Sequence, residues 1–175
     1  MAYPVIIAID GHDGSGKTTI SKLLAEKINA KYIKPFSDSL GDLIAWSYRK
    51  KEYKFANQIA LAAIQKNIDE NPGVEYFIFD RHWLSMFTVL PKEYYEYWNP
   101  LPVTILCWAD VKTTQNRLIE RNEIEPYQGC NEHYCKVYKE IAGQYNVFIV
   151  DTSNDSKTDD RVSEIFAYLV SNQLI

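Results

Sequence analysis

Residues 11–18, which read GHDGSGKT, have the composition and spacing of a site for a polyphosphate. Glycines let the backbone curl so that several amide N–H groups point inward, and the first turn of a following helix adds partial positive charge. In this motif Lys17 reaches the β- and γ-phosphates, and the hydroxyl of Thr18 binds Mg²⁺. The stretch therefore predicts a site for a nucleoside triphosphate and magnesium. The residues assigned to this site are Gly11, His12, Asp13, Gly14, Ser15, Gly16, Lys17, Thr18 and Thr19.

Asp80 and Arg81 directly follow the apolar run Tyr76–Phe79 and supply the other charges that such a site requires. Phosphoryl transfer needs a partner for the metal and positive charge around the group that moves. Asp80 is expected to hold Mg²⁺ through water, together with Thr18. Arg81 and Lys17 are expected to stabilise the moving phosphoryl group. The alternative for Asp80 and Arg81 is a surface pair at the end of a strand.

The elements that would position these residues alternate along the chain. Short apolar runs predict strands at 5–9, 31–33, 75–80, 102–108 and 146–150. Apolar residues at helical spacing predict helices at 20–28, 39–50, 55–70, 111–121, 131–145 and 162–170. Such alternation predicts an α/β fold in which a parallel sheet carries helices on both faces. Ligands of these sheets bind at the carboxyl ends of the strands, where Asp10, Lys34 and Asp80 fall.

Length and composition limit the classes of protein to consider. The chain has 175 residues, 46% of them hydrophobic, which predicts one domain with a sizeable core over residues 1–175. No apolar stretch approaches the roughly 18 residues of a membrane span, so a soluble cytoplasmic protein is expected. The net charge of −4 argues against a duplex nucleic acid as partner. Cys107, Cys130 and Cys135 fit partly buried thiols better than disulfides or a zinc site.

Four segments together resemble the thymidylate-kinase-like group of P-loop nucleotide and nucleoside kinases. DGHDGSGKTT is similar to that family's EGxDGSGKTT, and DRHWLS is similar to its DRYxxS. ADVKTTQNRLIERNE resembles the strand-then-helix segment that leads into the family's lid. YKEIAGQYNVFIVDTS resembles the helix, last strand and DAS sequence that follow the lid. The likeness runs along essentially the whole chain, in order.

The resemblance implies a P-loop NTPase fold with a five-stranded parallel sheet, ATP as phosphoryl donor and a lid at about 121–133. It implies that Asp13 lies near the acceptor's sugar and that Arg81 lies near the transferred phosphoryl group. Arg117 or Arg121 would lie beside the donor nucleotide, and the segment after Asp151 would border its adenine. A homodimer is also suggested by the family.

The chain departs from the family where the acceptor's phosphate and base are held. Family members carry arginines where this chain has Ala45 and Gln65. Lys34 replaces an acidic residue after the second strand, and Thr88 and Val89 replace the YQ pair that reads thymine. A guanidinium–phosphate pair is strong and specific. Because both arginines are absent, the sequence does not determine whether the acceptor carries a phosphate. The residues assigned to the acceptor are Asp13, Lys34, Phe36, Gln65 and Arg81.

Two classes of acceptor follow from these departures. A nucleoside monophosphate requires other basic residues in place of the arginines, and RKK at 49–51 is alternatively a solvated helix end. The basic residues available are Lys34, Arg49, Lys50 and Lys51. A nucleoside, a modified nucleoside or another hydroxyl compound benefits instead from a general base. The carboxylates available for that role are Asp38, Asp42 and Asp80. Gln65 would bond a base edge, or lie as a satisfied amide beside an apolar stripe.

Two further segments are unusual. Residues 122–132 contain no Arg or Lys, so Arg81, Arg117 and Arg121 are the nearest cations for stabilising a transition state. EYYEYWNPLP, at 93–102, has no counterpart in the family. This aromatic segment would wall the acceptor pocket, form a dimer face, or lie on the surface as a plain helix.

The main hypothesis from the sequence is an ATP-dependent kinase that phosphorylates a nucleoside monophosphate, as thymidylate kinases phosphorylate dTMP. The catalytic residues assigned to it are Lys17, Arg81, Asp80 and Asp13. A nucleoside kinase acting on a hydroxyl is the alternative within the same class. A P-loop regulatory NTPase without an acceptor is the alternative from another class, although the chain lacks the N-K-x-D guanine signature.

Overall fold

A computed structural model describes residues 3–123, 127–154 and 157–175 and contains the predicted five-stranded parallel sheet. The strands are β1 (Val5–Asp10), β2 (Lys31–Ile33), β3 (Tyr76–Asp80), β4 (Val103–Trp108) and β5 (Phe148–Asp151). Their order across the sheet is β2-β3-β1-β4-β5, and every pairing is parallel. β1 is central, and its pairing of Ile9 with Asp80 brings the ends of β1 and β3 to one edge.

Helices connect the strands close to the predicted positions. They are α1 (Lys17–Lys27), α2 (Asp38–Arg49), α3 (Tyr53–Asp69), α4 (Trp83–Phe87), α5 (Val111–Glu120), α6 (Cys130–Gln144) and α7 (Thr158–Ser171). Local chemistry sets several of the boundaries. Gly16 precedes α1 with a φ of 76°, a left-handed conformation that glycine adopts without steric cost. Asp110 caps α5 because its carboxylate accepts the backbone N–H of Thr113 at 2.8 Å.

The sheet separates two apolar layers. One layer packs α1 and α7 on the sheet through fully buried side chains such as Leu24, Ile165 and Leu169. The other layer contains residues of α2, α3, α4 and α6 around Phe77, Phe79 and Trp83. Because both faces of the sheet are covered, its central strands are almost wholly apolar, as in other parallel sheets. The prediction of helices on both faces is confirmed.

The aromatic segment 93–102 belongs largely to a 3₁₀ helix, Lys92–Trp98, which packs beside α3 and α4. Tyr95 stacks on Phe87, with ring centroids 3.5 Å apart, and its hydroxyl donates to the carbonyl of Phe87. Trp98 is buried and donates its indole N–H to Asn57 Oδ1 at 2.8 Å. The segment therefore contributes to the core beneath α4, which neither the pocket-wall nor the plain surface-helix hypothesis anticipates.

Within the described ranges, no helix combines the length and the apolar character needed to cross a membrane. Cys107, Cys130 and Cys135 are buried. The same ranges contain no group of three His, Cys, Asp or Glu side chains arranged to hold a metal ion.

Candidate active site

The glycine loop connects β1 to α1 and is held against its neighbours at close range. A Cβ on Gly11 would overlap the carbonyl oxygen of Cys107, and one on Gly14 would lie 2.9 Å from a methyl group of Thr114. Larger residues at these two positions would displace the loop from β4 and α5. The Thr152 hydroxyl, which follows β5, donates to the carbonyl of Ser15 at 2.7 Å. The loop is thus tied at both ends to the carboxyl edge of the sheet.

Lys17 begins α1 and is buried, with only 7% of the residue exposed. Its Nζ donates to the carbonyl of His12 at 3.3 Å and lies 3.6 Å from Asp13 Oδ1. Burial, followed by the positive charge of Arg81, lowers the pKa of Lys17 to about 8, although Asp13 and Asp80 oppose this. At neutral pH the group is mostly charged and incompletely solvated, so a phosphate oxygen would stabilise it.

Thr18 and Asp80, the predicted magnesium pair, are in direct contact. The Thr18 hydroxyl donates to Asp80 Oδ2 at 2.6 Å, and the phenol of Tyr32 donates to the same oxygen at 2.9 Å. Asp80 is fully buried, and its Oδ1 accepts no hydrogen bond from any residue that the structure describes. A buried carboxylate oxygen without a partner is costly unless a cation or ordered water satisfies it.

Arg81 lies between the loop and the carboxyl end of β3. Its Nη2 pairs with the carboxylate of Asp13, and its Nη1 donates to the hydroxyl of Tyr138 at 3.0 Å. Nη1 also lies 3.3 Å from both Ser85 Oγ and the carbonyl of Gly11. The guanidinium is therefore directed at the glycine loop by partners from three separate segments.

A cavity of about 1040 Å³ opens in front of Arg81, between α2 and α6. Four of the residues assigned to the acceptor line it, namely Asp13, Lys34, Phe36 and Arg81. Ala45 also lines this cavity, which agrees with its position in the motif that holds the acceptor phosphate in the resembled family. The departures from the family at Ala45, Thr88 and Val89 therefore fall on the cavity wall.

Gln65 is the assigned acceptor residue that the structure does not bring to the cavity. Its side chain is exposed on α3 and donates to Asp69 Oδ1 at 2.8 Å, one turn further along the helix. The prediction that Gln65 faces an acceptor is not supported, because its amide lies on the solvent side of α3. This placement matches the alternative, a satisfied amide at the margin of the apolar stripe.

The basic residues proposed to replace the missing arginines divide into two groups. Lys34 and Arg49 line the large cavity. Lys50 and Lys51 are exposed beyond the end of α2 and do not contribute to the described lining. Asp38 and Asp42, the carboxylates considered as a general base, line the cavity as well.

A second cavity, of about 280 Å³, lies on the other side of the glycine loop. Thr19, Arg117 and Arg121 line it, together with Gly14 and Gly16 of the loop. Arg117 donates through Nη1 to the carbonyl of Gly14 at 2.7 Å and through Nη2 to the carbonyl of Thr152. Arg121 is exposed and pairs with Glu123 at 3.1 Å. The cavity thus brings together residues of the glycine loop and the two arginines that were assigned to the donor nucleotide.

The ring of His12 is buried and forms hydrogen bonds with the backbone of the glycine loop and of the segment after β4. Its Nδ1 donates to the carbonyl of Asp13 at 3.0 Å, and its Nε2 accepts the backbone N–H of Ala109 at 3.3 Å. Burial lowers the pKa of His12 to about 4, so the ring is neutral at physiological pH. His12 therefore supports the loop on the end of β4 instead of presenting a charge to a phosphate.

The predicted lid at about 121–133 falls partly on residues 124–126, which lie outside the described residues. On either side, residues 121–123 and 127–129 are exposed, and Gly129 precedes α6 with a φ of 79°. The lid and the single domain over 1–175 stay predictions.

Sequence reasoning missed three side chains that hold the predicted ones in place. Tyr32 contacts Asp80, while Ser85 and Tyr138 contact Arg81. Tyr32 and Tyr138 lie far along the chain from their partners, so the sequence carries little signal for those two contacts, whereas Ser85 follows Arg81 by only four residues. The S of DRHWLS and the Y of YKEIA were recognised as parts of motifs but were given no role.

No known protein-family profile matches the chain. The "Probable thymidylate kinase" of Methanocaldococcus jannaschii is 26% identical over 185 residues, covering 97% of each protein. The "Probable thymidylate kinase" of Metallosphaera sedula is 26% identical over 169 residues, covering 83% of each. A "Bifunctional pantoate ligase/cytidylate kinase" of Prochlorococcus marinus is 40% identical over 63 residues, but this match spans 36% of the chain and 12% of that longer protein.

Solved structures share the fold at low sequence identity. The thymidylate kinase from Candida albicans superimposes with a TM-score of 0.69 and 17% identity, covering 98% of this chain and 93% of that one. The deoxyadenosine kinase from M. mycoides with bound dATP gives a TM-score of 0.66 and 21% identity, with coverages of 94% and 98%. These likenesses confirm the predicted P-loop α/β fold.

Proposed function

We propose that this chain, a thymidylate-kinase-like P-loop kinase, transfers the γ-phosphoryl group of ATP to a nucleoside monophosphate. The observation that carries the proposal is the convergence of Lys17, Arg81 and the Thr18–Asp80 pair at one edge of the sheet. Arg81 lines a cavity of about 1040 Å³, suited to an acceptor, and the glycine loop that precedes Lys17 lines a smaller cavity, suited to a donor, through Gly14 and Gly16. Phosphoryl transfer requires donor and acceptor to meet at such a charged boundary.

ATP is the proposed donor, with its phosphates in the loop 11–18 and its base toward the cavity lined by Arg117 and Arg121. Thr18 and Asp80 would hold Mg²⁺, and Asp80 Oδ1 supports this assignment because it is buried without a hydrogen bond. A bound Mg²⁺ supplies positive charge to the β- and γ-phosphates. Tyr32 keeps the other carboxylate oxygen of Asp80 oriented through its 2.9 Å hydrogen bond.

Lys17 and Arg81 perform complementary tasks in this proposal. The buried ammonium of Lys17 contacts phosphate oxygens from the α1 side, where a water-poor environment strengthens the interaction. The guanidinium of Arg81 faces the loop from β3 and stabilises the phosphoryl group as it moves toward the acceptor. Asp13 holds one edge of that guanidinium and borders the acceptor cavity.

The ionisation of Asp13 argues against this residue as the general base for a hydroxyl acceptor. Desolvation in the cavity raises the pKa of Asp13, but the positive charges of Arg81 and Lys17 outweigh it and leave the pKa below its usual value. A carboxylate paired in this way is a weak general base. A monophosphate needs no base, because its oxygen is already ionised, and Lys34 and Arg49 supply positive charge in the cavity.

Two further predictions belong to this proposal. The homodimer suggested by the family would be detected by light scattering coupled to size-exclusion chromatography. A cytoplasmic location is also proposed, because such a kinase uses nucleotide substrates.

The function is tested by measuring ADP formation with a panel of acceptors, in a coupled assay that contains ATP and Mg²⁺. The panel includes dTMP, dUMP, the other monophosphates and the corresponding free nucleosides. The proposal predicts that at least one monophosphate stimulates ADP formation well above the rate without acceptor. Stimulation by nucleosides alone would establish the hydroxyl acceptor instead, and a rate indifferent to every acceptor would establish a regulatory NTPase.

A further inference from the structure

Arg81 occupies a backbone conformation that is unusual for its residue type. Its φ is 83°, in the left-handed region, where a residue with a Cβ is strained. The strain persists only if surrounding contacts fix the turn. One such contact is the backbone N–H of Arg81, which donates to the carbonyl of Ile9 at 3.0 Å.

Asp10, at the end of β1, fixes the residues that follow Arg81. This carboxylate has no exposed surface and accepts the backbone N–H groups of His82 and Ser85, each at 3.1 Å. It also accepts the Ser85 hydroxyl at 2.5 Å. Asp10 therefore determines where the Ser85 hydrogen points, because a hydroxyl has only one hydrogen to donate.

Tyr138, on α6, connects this buried carboxylate to the guanidinium of Arg81. Its oxygen lies 2.8 Å from Ser85 Oγ and 3.0 Å from Arg81 Nη1. Since Ser85 donates its hydrogen to Asp10, Tyr138 must donate to Ser85 and accept from Arg81. The result is a directed chain of hydrogen bonds from Arg81 through Tyr138 and Ser85 to Asp10.

We infer that Tyr138 is a positioning residue that orients Arg81 for phosphoryl transfer, and this inference depends on the function proposed above. Asp13 holds one terminal nitrogen of the guanidinium, and Tyr138 holds the other. Tyr138 is 2% exposed and lies on α6, whose first residues overlap the end of the predicted lid. The orientation of Arg81 consequently depends on the placement of α6.

The first test is Tyr138→Phe, which removes the hydroxyl and keeps the ring. Among the described residues, Arg81 is the one charged group that loses a hydrogen bond in this variant. We therefore expect kcat to fall about tenfold, with KM for ATP within about threefold of the wild-type value. Tyr95→Phe is the matched control, because it removes a phenol that donates to a backbone carbonyl and accepts no hydrogen bond from an arginine among the described residues. The control is expected to retain the wild-type kcat.

The second test asks whether Tyr138 acts through Arg81. Arg81→Lys keeps the charge but cannot hold Asp13 and Tyr138 with two separate nitrogens. In the Arg81→Lys background, Tyr138→Phe should change kcat by less than about twofold, because the interaction is already absent. An undiminished tenfold loss in that background would show that Tyr138 acts independently of Arg81 and would overturn the inference.

A third measurement does not require turnover. Side-chain ¹⁵N NMR should show a slowly rotating Arg81 guanidinium in the wild-type protein, and faster rotation in Tyr138→Phe but not in Tyr95→Phe. Unchanged rotation in Tyr138→Phe would refute the inference, whatever the enzyme acts on. If rotation changes while no monophosphate supports turnover, the positioning contact exists and the proposed function is the part that fails.

Discussion

The hydroxyl of Thr18 donates to Asp80 Oδ2 at 2.6 Å, although 62 positions of the chain separate the two residues. The pairing of β1 with β3 creates this contact, because it brings the end of β3 beside the start of α1. Tyr32, from β2, donates to the same oxygen and leaves Oδ1 as the atom without a hydrogen bond among the described residues. Residues from α1, β2 and β3 therefore orient the Asp80 carboxylate so that one of its oxygens is available to a cation.

Asp80→Asn is predicted to weaken metal binding in the presence of ATP. A carboxylate that holds a metal through water contributes about 10–100-fold in affinity, and an amide would lose most of this. The measurement is Mn²⁺ titration followed by electron paramagnetic resonance, with Mn²⁺ in place of Mg²⁺.

Glu75→Gln is the matched control for that titration, because it removes an exposed carboxylate just before the same strand. The control should bind Mn²⁺ as the wild type does. Equal affinity in Asp80→Asn and the wild type would refute the assignment of Asp80 to the metal.

Lys17→Met is predicted to abolish turnover without destabilising the protein. The substitution removes a buried ammonium whose pKa is lowered to about 8, so unfolding of the ligand-free protein should occur at the same temperature or higher. The rate with ATP and its best acceptor should fall at least ~1000-fold, since electrostatic stabilisation is the main contribution of such sites. Thermal unfolding with and without Mg·ATP, next to the kinase assay, separates the two effects. Substantial remaining turnover would contradict the role of Lys17.

Arg49→Ala and Lys34→Ala are predicted to raise KM for the monophosphate acceptor. Loss of one charged contact to a phosphate costs about 1.5–3 kcal/mol, which corresponds to a rise of roughly tenfold or more. KM for ATP should remain unchanged, because neither residue lines the smaller cavity.

Lys50→Ala provides the comparison for Arg49→Ala, since it removes the neighbouring positive charge outside the described lining of the acceptor cavity. Its acceptor KM should match that of the wild type. If Lys50→Ala and Arg49→Ala raise the KM equally, the effect is a general one of charge and not of contact in the cavity.

Stability is predicted to fall as pH drops below about 6.5. Burial lowers the pKa of His12 to about 4 and that of His82 to about 3, so both rings are neutral in the folded protein. The unfolded chain takes up protons below its ordinary histidine pKa of about 6.5, and each ring then costs about 1.4 kcal/mol per pH unit. The stability contribution of these rings is therefore complete above pH 6.5 and is lost progressively as the pH falls toward the folded values. Urea unfolding at several pH values from 7 to 4.5 measures the slope.

His82→Phe isolates the contribution of one ring. His82 is buried edge-to-face against Phe79 and Trp98, so phenylalanine preserves most of the packing. The difference between wild-type and His82→Phe stability should change by about 1.4 kcal/mol per pH unit near pH 5. Parallel pH dependence in the two proteins would contradict the buried neutral state of His82.

The order of strands and helices could be predicted from the sequence, because the apolar runs of strands and the helical spacing of apolar residues are both local patterns. Each observed strand lies within two residues of its predicted position, and the glycine loop lies between β1 and α1 as expected. Motif spacing also identified Lys17, Asp80 and Arg81, whose roles depend on positions at the ends of elements. Such positions are specified by a few neighbouring residues.

Contacts between distant segments were beyond the reach of the sequence. The apolar stripe on α3 leaves two alternatives for Gln65, a bond to a base edge or a satisfied amide at the margin of the stripe, and only the structure shows its bond to Asp69. Tyr32 and Tyr138 acquire their roles through partners 48 and 57 positions away. The aromatic segment became part of the core because Tyr95 and Trp98 found partners on α4 and α3.

The most direct test of the account follows the fate of the γ-phosphoryl group. The purified protein is incubated with Mg²⁺, dTMP or another monophosphate, and ATP labelled with ³²P at the γ-position, and the products are separated by chromatography. The account predicts that the label appears in a nucleoside diphosphate formed from the acceptor. Release of the label only as inorganic phosphate, at a rate that no acceptor changes, would contradict it.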